Sequence, residues 1–118
     1  MSDYTIVFYS KENGEEPAKS FIQKLEPKMQ AKLIRILDLL QANGPNIGLP
    51  YSKYLENGIF EIRVQQGNDI ARILYFFVIN RKIILTNGFI KKTQKTPKNE
   101  IMLAKKYRSD YERRTHDD

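Results

Sequence analysis

Residues 58–90 read GIFEIRVQQGNDIARILYFFVINRKIILTNGFI, and their punctuation decides the fold. Three runs rich in β-branched and aromatic residues, at about 58–65, 70–79 and 82–90, have the composition of strands. Gln66-Gly67-Asn68-Asp69 separates the first two and Asn80-Arg81 the second pair, and both are hairpin signals. The stretch is therefore an antiparallel meander. If Gly67-Asn68 is the centre of the first turn, paired residue numbers sum to 135, and Arg63 lies opposite Arg72. If Asn80-Arg81 is the second turn, the sum is 161, and Arg72 lies opposite Phe89. Directly paired side chains share a face. Arg63, Arg72 and Phe89 then form a row across three strands, with Glu61 on the same face and Lys91 and Lys92 just past its end.

Working outward, Tyr4 to Tyr9 is a further strand-like run. Ala18, Phe21, Ile22 and Leu25 keep the spacing of one helix face, with Pro17 suited to the first turn. Met29, Leu33, Ile36, Leu37 and Leu40 make a second stripe after Pro27, and Asn43-Gly44-Pro45 ends it. Residues 44–52 read as a loop. Residues 98–113 read as a last helix, with Thr96 as its cap and Pro97 at its first position. The order is β-α-α-β-β-β-α. The expected class is α+β: one domain over residues 1–118, with an N-terminal strand, an αα-hairpin packed on a twisted antiparallel sheet, and a C-terminal helix.

Composition narrows the function. The chain has 118 residues, 41% of them hydrophobic, which suffices for a core. It has no cysteine, no signal-like N-terminus and no apolar run approaching a membrane span, so a cytoplasmic protein without a membrane partner is expected. The net charge of +6 lies wholly in residues 51–118, where fourteen Lys/Arg face eight Asp/Glu; residues 1–50 hold six of each. Such a one-sided basic half suits an anionic partner, and equally a solubilising excess of lysine.

The only histidine is His116, which removes histidine-based triads and zinc sites of the usual kind. There is no Walker-type phosphate loop and no tight carboxylate cluster, so no cofactor or metal is expected. Two arginines directly across a strand pair repel each other. An anion between them removes that cost, and a phosphate matches the guanidinium fork. The alternative is plain pairing of Arg63 with Glu61 or Glu56 and of Arg72 with Asp69. Phe89 has two readings as well: a core ring, or a partly exposed ring for stacking a base, which its polar flank favours. Lys91, Lys92, Lys95 and Lys98 are either a solvated loop or an RNA-binding edge.

Gly58-Ile59-Phe60-Glu61-Ile62-Arg63, then Ala71-Arg72-Ile73-Leu74-Tyr75, then GFIKKTQKTP over residues 88–97, followed by Glu100-Ile101 and Ala104, resembles the HigB toxins, the phage-derived branch of the RelE/ParE toxin superfamily. The resemblance implies a RelE-like fold and the toxin of a type II toxin–antitoxin system. That toxin would be a metal-independent endoribonuclease (mRNA interferase) cleaving mRNA on the ribosome, silenced in a hetero-oligomer with a HigA-like helix-turn-helix antitoxin. By position, Arg63, Arg72, Glu61, Lys91, Lys92 and Phe89 match the motif residues, while Ala71 stands where an aromatic is common. On this reading Arg63 and Arg72 take the phosphate, Lys91 or Lys92 moves the proton, Glu61 orients or exchanges a proton, and Phe89, Lys95 and Lys98 hold RNA. The catalytic tyrosine or histidine arrangement of other branches is absent, and Tyr107 and Tyr111 are spaced as packing residues. A ParE-like gyrase-inhibiting toxin and a non-enzymatic basic RNA- or DNA-binding module are the competing functions.

Overall fold

The computed structural model describes residues 3–91 and 95–115. The chain runs β1 (Thr5–Phe8), α1 (Pro17–Gln23), α2 (Pro27–Asn43), a single 3-10 turn (Gly44–Asn46), β2 (Ser52–Glu56), β3 (Ile59–Gln66), β4 (Asp69–Val78), β5 (Lys82–Lys91) and α3 (Lys98–Thr115). It is an α+β fold with one five-stranded sheet in the order β1-β5-β4-β3-β2. Among the described residues no helix is long and apolar enough to cross a membrane.

The expected meander is present, and three details of the expectation are corrected. The sheet is mixed, because β1 runs parallel to β5, Thr5 beside Lys82. The stretch after the loop contains an additional strand, β2, which pairs antiparallel with β3. Asn57-Gly58 joins the two, with both residues at positive φ (51° and 80°), as a tight Asn-Gly hairpin requires. The third correction concerns the β4–β5 turn. Val78 pairs with Lys82, a sum of 160, so three residues form the loop. The register then shifts between Leu74 and Tyr75: Tyr75 pairs with Leu85 but Leu74 with Asn87. Thr86 is the extra residue, and its hydroxyl donates to the Leu74 carbonyl at 3.1 Å. Beyond this bulge the sum is 161, and Arg72 faces Phe89.

Helices cover both faces of the sheet. On one, α1 and α2 bury Ala18, Ile22, Met29, Leu33, Ile36 and Leu40 against Ile62, Val64, Ile73, Tyr75, Ile83 and Leu85. These helix residues keep the spacing read from the sequence. Pro17 and Pro27 each open a helix, and α2 stops at Gly44, whose N–H closes on the Leu40 carbonyl at a φ of 54°. On the other face Ala104 of α3, with Tyr107 and Tyr111, covers Tyr9, Ile59, Leu74, Phe76, Ile84 and Phe89. The bulge puts Ile84 and Phe89 on this same face although their numbers differ in parity.

Two buried phenols make ties, one within the sheet and one to α3. The Tyr75 hydroxyl shares a hydrogen bond with Ser52, and burial pushes its pKa up to about 12. The Tyr9 hydroxyl donates to Asp110 Oδ2 of α3 at 2.6 Å, and burial with that bond takes its pKa to about 12 as well. Both folded values exceed the ordinary 10.0. The protonated phenols therefore contribute stability that is complete below pH 10 and lost as pH rises from there toward 12. Urea midpoints should hold steady up to pH 10 and fall between pH 10 and 12, and the Tyr9→Phe/Tyr75→Phe double variant should fall less steeply over that window.

Gly88 is the point of closest approach between α1 and β5, since a Cβ there would collide with the Phe21 ring. Gly88→Ala should cost about 1–3 kcal/mol of unfolding free energy by urea titration. Phe21→Leu in the same chain should recover part of that loss; additive losses would show that the contact is not the cause.

Candidate functional site

Strand pairing assembles the centre of the site. Arg63 of β3 faces Arg72 of β4, which faces Phe89 of β5. The row lies on the face covered by α3. One step along, Glu61, Leu74 and Asn87 form the next row. The convergence expected from the hairpins is therefore present, and Glu61 belongs to it.

Burial within the row is unequal. Arg72 and Glu61 are fully buried and Phe89 is 8% exposed. The expectation of a partly exposed Phe89 ring is thus corrected: the ring packs in the apolar cluster beneath α3, and the Arg72 guanidinium carbon lies 5.9 Å from its centroid. The physical reason is that α3 supplies the apolar neighbours which the polar flank of Phe89 in the chain does not. Only Arg63 of the row reaches the surface, with a fifth of its side chain exposed. Lys91 is exposed at the end of β5, and Lys95 and Lys98 are exposed before and at the start of α3. Lys92 lies outside the described residues.

Glu61 organises the charge. Its Oε2 accepts from Arg63 Nε, and its Oε1 accepts from the Thr96 hydroxyl. The pairing of Arg63 with Glu61, one of the two sequence readings, is therefore present, while Glu56 pairs with Lys105 of α3. Burial lowers the Arg72 pKa from its ordinary value, the Glu61 carboxylate works in the opposite direction, and the nearby Arg63 charge lowers it further. The carboxylate thus sits as an internal anion between two guanidinium groups, the arrangement that relieves cross-strand repulsion.

The sequence reading missed two residues of this centre. Thr96 was expected to cap α3; its hydroxyl goes instead to Glu61, and the Pro97 carbonyl accepts from the Glu100 and Ile101 N–H groups at 3.1 and 3.3 Å. Asn87 is buried, and its amide donates to the Glu100 side chain at 3.1 Å and to the Glu100 carbonyl at 3.3 Å. Together Thr96 and Asn87 fasten the start of α3 over the row. A polar residue before the helix and one inside an apolar strand are signals that a buried carboxylate or helix end needs a donor. Tyr107 stacks on Tyr9 with centroids 4.6 Å apart and Tyr111 meets Phe76 edge-on at 5.8 Å, so both pack, as their spacing indicated. Among the described residues no group of three or more His, Cys, Asp or Glu could hold a metal ion.

In chemical terms the arrangement is a cationic mouth. Arg63 stands at the surface with its guanidinium oriented by a buried carboxylate, and Arg72, fully buried, is its partner on the next strand. This can bind an anion and stabilise charge that develops on it.

Residues 20–109 match the family model described as phage derived protein Gp49-like (DUF891), a span that takes in Glu61, Arg63, Arg72, Phe89 and Thr96. A search of the curated proteins found no match to the chain.

Removing only the carboxylate should be costly, because it leaves buried positive charge without its counter-ion. Glu61→Leu should lose about 3–5 kcal/mol of stability in urea titration, and Glu61→Leu/Arg72→Met should regain most of that loss. A double variant as unstable as the single one would show that the charge balance is not what holds this centre.

Proposed function

Because the chain belongs to the Gp49-like, phage-derived family of RelE-type toxins, we propose that it is the toxin of a type II toxin–antitoxin system and acts as an endoribonuclease on mRNA in the translating ribosome. The observation that carries the reading is Arg63: a partly exposed guanidinium held by the buried Glu61 carboxylate, paired across the strands with the buried Arg72.

RNA cleavage of this kind needs a 2′-hydroxyl to attack the adjacent phosphorus while the bond to the 5′-oxygen breaks. A proton leaves the 2′-oxygen and one arrives at the 5′-oxygen, and negative charge gathers on the phosphoryl oxygens in between. Arg63 binds those oxygens. Arg72, being buried, acts through its field and through Glu61 rather than by touching the phosphate. Lys91 or Lys92, the paired lysines that follow Phe89 and Ile90 in the chain, carries the proton. Lys95 and Lys98 hold the neighbouring phosphates. Phe89 supports the Arg72 guanidinium from below, a role that its burial favours over stacking on a base.

Arg63 is a sharper probe than Arg72, because replacing a fully buried arginine disturbs the fold. The chain and its Arg63→Ala variant, checked for folding by circular dichroism, are induced without antitoxin and new 5′ ends are mapped across cellular mRNA. In-frame cuts within translated regions are expected, falling about 100-fold or more in the variant, the usual loss on removing one charge-stabilising donor. Growth arrest with no new RNA ends would overturn the ribonuclease reading in favour of a gyrase-inhibiting or other binding toxin.

A further inference from the structure

Past Arg63, no strand among the described residues lies beside the outer edge of β3. β2 begins at Ser52, opposite Ile62, and the last contact on that side is the Arg63 N–H to the Tyr51 carbonyl at 3.1 Å. In place of a strand, α2 flanks this edge, and Lys32 Nζ reaches the Gln65 carbonyl at 3.0 Å. Between α2, the β3 edge and residues 49–51 lies a cleft of about 690 Å³. Its cationic wall is Lys32, Arg35 and Arg63, its apolar wall includes Leu39, Leu49 and Tyr51, and among the described residues no carboxylate lines it. Leu49 is 75% exposed, Tyr51 39% and Leu39 37%.

We infer that this cleft is the docking site for a segment of a partner protein that carries both carboxylates and aliphatic side chains. Arg63 is already paired with Glu61, but Lys32 and Arg35 face the cleft with no acid among its described lining residues, which calls for an acidic occupant. The exposed leucines call for aliphatic groups, which a nucleic-acid backbone does not offer. Arg63 belongs to the cleft and to the candidate site alike, so a carboxylate of the occupant that engages Arg63 takes the place a phosphate would take. Docking here blocks the site by substitution for its anion. Identifying the partner as the antitoxin rests on the functional reading above; the surface itself rests on its geometry.

The test is NMR of the ¹⁵N-labelled full chain with three probes: a short acetylated peptide of alternating glutamate and leucine, the same peptide with lysine for glutamate, and a short single-stranded RNA. The acidic peptide should shift the amides of Arg35, Leu39, Tyr51 and Gln65, the lysine peptide should not, and Arg35→Glu should weaken the acidic peptide about tenfold, a loss of one exposed charge pair in an apolar cleft. RNA bound at Arg63 is expected to reach Tyr51 and Gln65, but if it shifts the Arg35 and Leu39 amides of α2, the cleft is an RNA path and the inference is overturned. It is overturned equally if the acidic peptide maps elsewhere or does not bind. Should the chain make no RNA cuts while the acidic peptide still maps to the cleft, the ribonuclease reading fails and the docking surface stands.

Discussion

The Glu61 carboxylate is the interaction on which the rest of this face depends. A carboxylate removed from water is costly by itself, and so are two guanidinium groups placed across a strand pair. Each becomes tolerable because of the other. Glu61 accepts from Arg63 and from Thr96 while its charge opposes the burial of Arg72. Replacing all of these groups with leucines and methionines would make an easier core. That the sheet keeps them is a reason to look for function in this row rather than in the apolar one beneath α1 and α2.

The same carboxylate links chemistry to architecture. Thr96 precedes α3 and Asn87 meets its first turn, so the helix that covers the second face is seated by the polar centre. Farther along, α3 is fastened by Lys105 to Glu56, by Arg108 to the Asn57 carbonyl and by Asp110 to Tyr9. The helix therefore touches both outer regions of the sheet as well as its middle, and a shift of α3 would be felt at Arg63.

How legible was this in the sequence? The two helix stripes were, because their apolar residues recur at helical spacing and each begins with a proline. The row Arg63, Arg72 and Phe89 was also legible, though for an incomplete reason. Counting from a two-residue Asn80-Arg81 turn assigns the correct partners only because a three-residue loop and a bulge at Thr86 offset one another. Neither leaves a mark in local composition. The strand β2 was missed although Asn57-Gly58 announces its turn, because Ser52-Lys53-Tyr54-Leu55-Glu56 is an edge strand with one buried residue and little alternation. The burial of Phe89 and the destination of the Thr96 hydroxyl depend on α3 folding back over the sheet. Those are long-range facts that flanking residues do not encode.

The position of β1 has a consequence for how the molecule comes into being. It precedes α1, α2 and the other strands in the chain, yet its neighbour in the sheet is β5, Thr5 lying beside Lys82. Its strand edge therefore stays without a partner while α1, α2 and three further strands are synthesised. The centre around Glu61 waits longer still, since Thr96 comes after every strand. The meander from β2 to β5 pairs neighbours in sequence, but the β1–β5 pairing joins distant segments, and such pairing is slow to form. A nascent chain of this design carries Arg63 and Arg72 without the geometry that joins them until the segment from Thr96 through α3 has been added.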